Sequence, residues 1–197
     1  MGRLAGIALA LLATSPLAAQ WSVGAELGMV SFSGTSVDTT TASDPGKARP
    51  SPAASYALRV ERRAGRIGAG IGVLYSKGGA GVANGSVAVD EKGVLKFYEI
   101  APEVSFLVAR PGGVGSFRLH LGFMFDRWDL KGGTVNTRLG AHTAASLSWP
   151  LVGQLWVLFQ GGAAVSAGVF SVEDLPDTFA RRATWRRSVS AGVRVRF

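Results

Sequence analysis

The chain has 197 residues, a formal net charge of +8 and no cysteine, and it combines 47% hydrophobic residues with only 17% charged ones. The lack of cysteine excludes a disulfide framework and thiol chemistry. Beyond residue 20 no apolar run reaches the roughly 18 residues of a transmembrane helix, which excludes an ordinary helical membrane protein. High hydrophobicity without a long apolar run predicts apolar residues at alternate positions.

The first 19 residues are predicted to be a signal peptide. Arg3 supplies a short positive region, residues 4–13 are apolar, and Ala18 and Ala19 are the small residues that favour cleavage before Gln20. The apolar stretch is about ten residues long, whereas a membrane-spanning helix needs roughly 20. We therefore expect residues 20–197 to form the mature protein, which is one domain by length.

Eight stretches of the remaining chain alternate between apolar and small or polar residues with a period of two, the pattern of half-buried strands. In residues 117–126, for example, every odd position is Phe or Leu, and the even positions include Arg118, His120 and Asp126. The predicted strands are residues 21–32, 53–62, 67–77, 94–109, 117–127, 137–149, 154–167 and 185–197.

The connections between these strands alternate in length. Residues 63–66, 110–116 and 150–153 are short, and residues 33–52, 78–93, 128–136 and 168–184 are long. Weak alternation from Val82 to Val89 allows a second interpretation, in which a hairpin extends above the membrane. Short turns, longer loops and an even strand count are typical of outer-membrane barrels. The predicted fold class is all-β, an eight-stranded antiparallel up-and-down transmembrane β-barrel.

The volume of the side chains decides which face of each strand points outward. In the third strand Ile67, Ile71 and Val73 alternate with glycines at positions 68, 70 and 72. The narrow interior of an eight-stranded barrel cannot hold all the larger residues. They are expected to face lipid, which a closed barrel tolerates because its backbone groups are all paired.

Two segments resemble the OmpA/OmpX-type family of small outer-membrane barrels. Residues 97–104, Phe-Tyr-Glu-Ile-Ala-Pro-Glu-Val, resemble the family's aromatic-Glu-Ile-Pro stretch, with Ala101 inserted. The last strand closes on a terminal aromatic residue and resembles the family's C-terminal insertion signal, which here comprises Val189, Ala191, Val193, Val195 and Phe197. The resemblance implies an outer-membrane location with extracellular loops and periplasmic termini, and recognition of this signal by the barrel-assembly machinery.

Charged residues of both signs fall on the inward positions. In this pattern Glu103 lies diagonal to His120, and Asp126 faces Arg138 across a loop. A polar pore or a buried acid/base site is one interpretation; a plug of ion pairs is favoured, because buried charges persist only when they are partnered. The predicted lumen network comprises Glu26, Arg59, Glu61, Glu99, Glu103, Arg118, His120, Asp126, Arg138 and Arg194.

The sequence offers little for catalysis. His120 and His142 are the obvious general-base candidates, and Ser146 and Ser148 share a face with His142 without completing a triad. No catalytic, cofactor-binding or metal-binding residue is therefore assigned. The expected function is a structural, adhesive or protective envelope role; the alternatives are a lipid A deacylase-like enzyme, a narrow channel or a soluble ligand-binding barrel.

Arginines and aromatic residues cluster near the strand ends. Arg181, Arg182, Arg186 and Arg187 flank Trp185, which points either to contact with lipopolysaccharide phosphates or to a solvated loop. At the opposite rim Arg62, Arg63, Arg66 and Arg110 are expected to touch anionic phospholipid.

Dispersed basic residues without a recognition motif exclude nucleic acid as a partner, and a monomer is favoured. A membrane-interface belt is expected from Trp21, Trp128, Trp149, Trp185, Tyr75, Phe170 and Phe179.

Overall fold

The computed structural model describes residues 20–33, 37–38, 47–84, 87–170, 179–180 and 182–197. The predicted signal peptide therefore lies outside the described residues. No helix in the described ranges is long and apolar enough to cross a membrane. The strands are β1 (Gln20–Ser33), β2 (Val37–Asp38), β3 (Lys47–Pro50), β4 (Ala53–Ala64), β5 (Ile67–Asn84), β6 (Val87–Ala109), β7 (Ser116–Leu130), β8 (Val135–Val152), β9 (Leu155–Ser166), β10 (Phe179–Ala180) and β11 (Thr184–Arg196).

Eight long strands close into a barrel. They pair antiparallel in the order β1, β4, β5, β6, β7, β8, β9 and β11, and β11 returns to pair with β1, with Leu27 opposite Ala191. The short strands β2, β3 and β10 extend the sheet beside β5. The predicted eight-stranded antiparallel barrel is confirmed, and all of the eight long strands except β5 and β6 lie close to their predicted ranges.

The hairpin of β5 and β6 is longer than its predicted strands. Its ladder continues past a bulge between Gly78 and Ala80, and Val82 pairs with Val89. The prediction of a loop over residues 78–93 is wrong. The second interpretation, a hairpin that extends through Val82 and Val89, agrees with the structure. The alternation of apolar side chains is weak there because small residues interrupt it. The strands still pair, because the hydrogen bonds between them are made by backbone groups.

The barrel has two unlike ends. At the turn end β1 begins and β11 finishes, and the Phe197 amide donates to the Trp21 carbonyl at 2.8 Å. The tight connections lie there too, and Gly65 (φ 59°) and Gly153 (φ 54°) adopt the left-handed conformation that favours glycine. The two longest connections, between β1 and β4 and between β9 and β11, lie at the opposite loop end. In bacterial outer-membrane barrels the short turns are periplasmic.

Large apolar side chains cover the outside of the barrel. Leu27, Phe123 and Val189 are 65%, 66% and 70% exposed, whereas Glu61, Asp126 and Arg194 inside are at most 2% exposed. This polarity is the reverse of a soluble barrel and confirms that the larger face of each strand points outward. The exterior therefore requires lipid.

The aromatic belt is only partly as expected. Trp21, Trp149 and Trp185 are exposed near strand ends, as an interfacial position requires. Trp128 and Phe170 are instead buried inside the barrel, so their assignment to the belt is wrong. The side chain of Phe179 lies outside the described part of the structure.

Glycines on the inner faces make room for the charged side chains. A Cβ atom on Gly122 would lie 2.7 Å from Nε2 of His142 and 2.9 Å from Cα of Glu103. One on Gly68 would lie 2.5 Å from Oε1 of Glu61. The small inward residues of the sequence thus reflect how closely the ion pairs fill the lumen.

Candidate functional site

An apolar cluster closes the lumen at the loop end. The ring centroid of Trp128 lies 4.4 Å from that of Phe97 and 5.2 Å from that of Phe32, geometries that favour aromatic pairs. Trp128 lies two residues after the inward-facing Asp126 on β7. The alternation of side chains along the strand could therefore have predicted that Trp128 points into the barrel. The buried members of this aromatic plug are Val30, Phe32, Ala48, Ala53, Leu95, Phe97, Trp128, Val169 and Phe170.

Arg186 joins the plug to the charges below it. Its Nη1 lies 2.5 Å from Oε2 of Glu99, and its guanidinium lies 5.3 Å from the ring centroid of Phe97. Arg186 is buried, so its assignment to lipopolysaccharide contact is wrong. Arg186 and Arg194 are an even number of residues apart on β11, so both side chains point into the barrel. Inside the barrel, Glu99 supplies the counter-charge of Arg186.

Glu103 lies at the centre of the buried network. It forms an ion pair with Arg59, its Oε1 lies 3.0 Å from Nδ1 of His120, and its Oε2 lies 3.8 Å from Nε2 of His142. Arg59 also reaches Oε1 of Glu26 at 3.3 Å. The sequence register had placed Glu103 opposite Gly122 and diagonal to His120, and the structure has both.

His120 connects Glu103 to a serine. Its Nε2 lies 2.8 Å from Oγ of Ser146, so carboxylate, imidazole and hydroxyl are ordered as in a Ser-His-acid triad. Sequence reasoning paired Ser146 with His142 and missed this arrangement, which arises across the β7–β8 ladder. Ser146 and His120 are fully buried, at 1% and 0% exposure, and Ser146 lines neither of the cavities described below.

A second charged group, the Glu61 cluster, lies towards the turn end. Glu61 lies 2.6 Å from Arg63, 3.4 Å from Arg194 and 3.6 Å from Arg118, and it accepts a hydrogen bond from Ser105. Arg63 thus points into the barrel, and its expected place at the phospholipid-facing rim is wrong. One carboxylate here faces three arginines.

Arg138 differs from its predicted place in the network. It lies opposite Asp126 in register, but its Nε donates to the Gly168 carbonyl at 3.0 Å rather than to that carboxylate. The predicted ion pair with Asp126 is therefore wrong, because the guanidinium reaches towards the loop. Asp126 itself is buried opposite Glu99.

The remaining arginines of the proposed lipopolysaccharide group lie near the loop end. Arg182 and Arg187 are exposed, and Arg187 is on the outward face of β11. Arg181 lies outside the described residues. Of the C-terminal signal, Val189, Ala191, Val193 and Phe197 are exposed on the barrel exterior and Val195 is half-buried.

Two cavities matter for the lumen in the part of the chain that the structure describes. One, of about 40 Å³ between Glu99, His142, Gln160 and Arg186, has room for only a few water molecules. The other, of about 440 Å³, opens at the turn end. Within the described ranges no group of three or more His, Asp or Glu side chains could hold a metal ion.

Similar structures are found, although no protein-family model and no curated protein matches the chain. Neisserial surface protein A is 15% identical, with a TM-score of 0.54 over 91% of this chain and 99% of that one. A major outer membrane protein from Thermus thermophilus is 13% identical, with a TM-score of 0.56 over 91% and 100%. The outer membrane protein AlkL is 8% identical, with a TM-score of 0.55 over 94% of each chain.

At these identities the likeness concerns the fold. It agrees with the closed ladder of eight strands and with the apolar exterior, both of which are features of this chain itself. The expected outer-membrane location agrees with the same two observations, because such an exterior is stable only in lipid. The chain is thus a small eight-stranded outer-membrane β-barrel, similar in fold to Neisserial surface protein A and to the Thermus thermophilus protein.

Proposed function

We propose that this barrel is a non-enzymatic envelope protein with a structural, adhesive or protective role. The observation that carries the proposal is the filled lumen: the aromatic plug covers the loop end, and ion pairs occupy the middle, where the cavity measures only about 40 Å³. A filled lumen favours a rigid scaffold for surface contacts at the loop end over a conduit. This favours the closed interpretation over a narrow channel.

Planar-bilayer recording tests whether the lumen is closed. We expect the purified protein to give no discrete conductance steps, because the aromatic plug and the Glu99–Arg186 pair leave no room for a hydrated ion. A trimeric porin in the same bilayer is the positive control. Reproducible single-channel steps would contradict the proposal and favour the narrow channel.

An acyl-transfer enzyme is the second candidate, since Glu103, His120 and Ser146 have the order of a triad. The burial of Ser146 argues for a structural hydrogen-bond chain instead. We expect a fluorophosphonate probe to leave the folded protein unlabelled. Labelling that disappears in Ser146→Ala but persists in Ser148→Ala would establish a reactive serine and favour the enzyme; lipid A from cells lacking the gene should then be altered.

Arg182 and Arg187 are the described arginines that we propose for contact with lipopolysaccharide phosphates. Arg187 follows the inward Arg186 and shares the outward face with Trp185, at the height where an outer-leaflet headgroup would lie. We also propose that the exposed residues of the last strand serve as the signal for the barrel-assembly machinery. The proposal for Arg182 and Arg187 rests on their position. The proposal for the last strand rests on its exposure and on its resemblance to the family's C-terminal signal.

A further inference from the structure

The turn end of the lumen opens into a vestibule that the scaffold role does not use. This turn-end vestibule has a volume of about 440 Å³, within the range of small-molecule sites. None of its eleven described lining residues is acidic. The lining residues that matter here are Arg63, Arg110, Arg118, Arg196, Ser116 and Trp156.

Positive charge is in excess around this vestibule. Glu61 is the carboxylate that the described ion pairs place beside it, and Arg63, Arg118 and Arg194 all lie within 3.6 Å of its oxygens. Arg110 and Arg196 add two further charges on the lining. Since one carboxylate compensates one guanidinium, the vestibule favours a multiply charged anion.

Two arginine donors on the vestibule lining are buried without a hydrogen-bond acceptor among the described residues. They are Nε of Arg63 and Nε of Arg196. Arg63, which lines the vestibule, is only 6% exposed. Buried donors without acceptors are costly, and the oxygens of a bound anion would supply the missing acceptors.

Arg196 is held in a fixed position. Its guanidinium lies 3.2 Å from the ring centroid of Trp156, and its Nη2 donates to Oγ of Ser148 at 3.0 Å and to Oγ of Ser116 at 3.1 Å. A planar guanidinium fixed by stacking loses little entropy on binding an oxyanion. The vestibule therefore combines a charge surplus with a preorganised arginine.

We propose that the turn-end vestibule binds a small phosphorylated solute that reaches it from the periplasm. Arginine forks match the paired oxygens of phosphate, and the volume accommodates a phosphate ester larger than the free ion. A phospholipid headgroup carries the same chemistry. The vestibule lies inside the ring of strands, whereas lipid covers its outside, so the solute is the favoured source.

Calorimetric titration of the folded protein with glycerol 3-phosphate, in nanodiscs of phosphatidylcholine alone, tests the proposal. We expect saturable binding that Arg110→Gln and Arg196→Gln each weaken by about tenfold, the effect of losing one charge-assisted hydrogen bond. Arg62→Gln is the matched control. Arg62 is at the same end and is stacked on Trp21, 5.8 Å from its ring centroid, outside the vestibule.

The absence of saturable binding, or an equal loss in Arg62→Gln, would overturn the site. A second titration in nanodiscs containing phosphatidylglycerol separates the two phosphate sources. Unchanged affinity supports a solute site, and competition by the lipid would overturn it in favour of a headgroup. Heat-modifiable migration on gels verifies folding; if Arg196→Gln does not fold, Arg110→Gln, in a turn between strands, decides.

Discussion

Replacing Glu61 by glutamine is expected to lower the free energy of unfolding by about 3–5 kcal/mol, the cost of removing one partner from a buried ion pair. The substitution preserves shape, so it leaves no cavity. It leaves Arg63, Arg118 and Arg194 close together without the carboxylate that they share. Urea unfolding of the barrel in phosphatidylcholine liposomes, followed by tryptophan fluorescence, measures the change.

Two further variants make this result specific to the Glu61 cluster. Glu91→Gln removes the same charge at an exposed position of β6 and should change the free energy of unfolding by less than about 0.5 kcal/mol. Glu61→Gln combined with Arg194→Gln should recover part of the loss, because one buried guanidinium is removed with its partner. Equal effects of Glu61→Gln and Glu91→Gln would contradict a structural role for the cluster.

Replacing Leu121 by arginine is expected to cost about 2–4 kcal/mol, the range for a cation at mid-membrane on a barrel's lipid face. Leu121 is 54% exposed near the middle of β7 and lies opposite Val104, which is also on the exterior. The guanidinium would therefore enter the hydrocarbon region. The same liposome unfolding measurement applies.

The matched control is Leu151→Arg. Leu151 is 58% exposed, like Leu121, but it lies at the turn end of β8, where the effect should fall to about 0–1 kcal/mol. A similar cost at both positions would show that depth in lipid is not the cause. No cost at either would contradict the membrane-spanning assignment of the exterior.

Much of the fold could be predicted from period-two patterning alone. The alternation in residues 117–126 shows which side chains of that strand point outward and which point inward. The inward placement of Glu61, Glu103 and Arg194 followed from the same alternation. The register between Glu103 and Gly122 was also predicted correctly, although a bulge between Leu107 and Ala109 shifts the pairing beside the turn. The β5–β6 hairpin was not, since its ladder continues where the side-chain pattern fades.

The candidate site could be predicted by position but not by partner. Arg186 was assigned to the membrane surface because its neighbours in sequence are arginines, although its parity directs it to Glu99. The chain from Glu103 through His120 to Ser146 joins three strands, and no local pattern reveals contacts of that kind. The same holds for Trp156, which stacks on Arg196 from the neighbouring strand β9.

The sequence by itself determined which side chains face lipid and which face the lumen, because the strand period is two and a narrow barrel admits only the smaller or partnered set. Only the tertiary structure decided how the lumen is filled. Closure of β11 against β1 brings Arg194 to Glu61 and Arg186 to Glu99, and it gathers Phe32, Phe97 and Trp128 into the plug. These contacts depend on the shear and closure of the whole barrel, and local alternation contains no information about either.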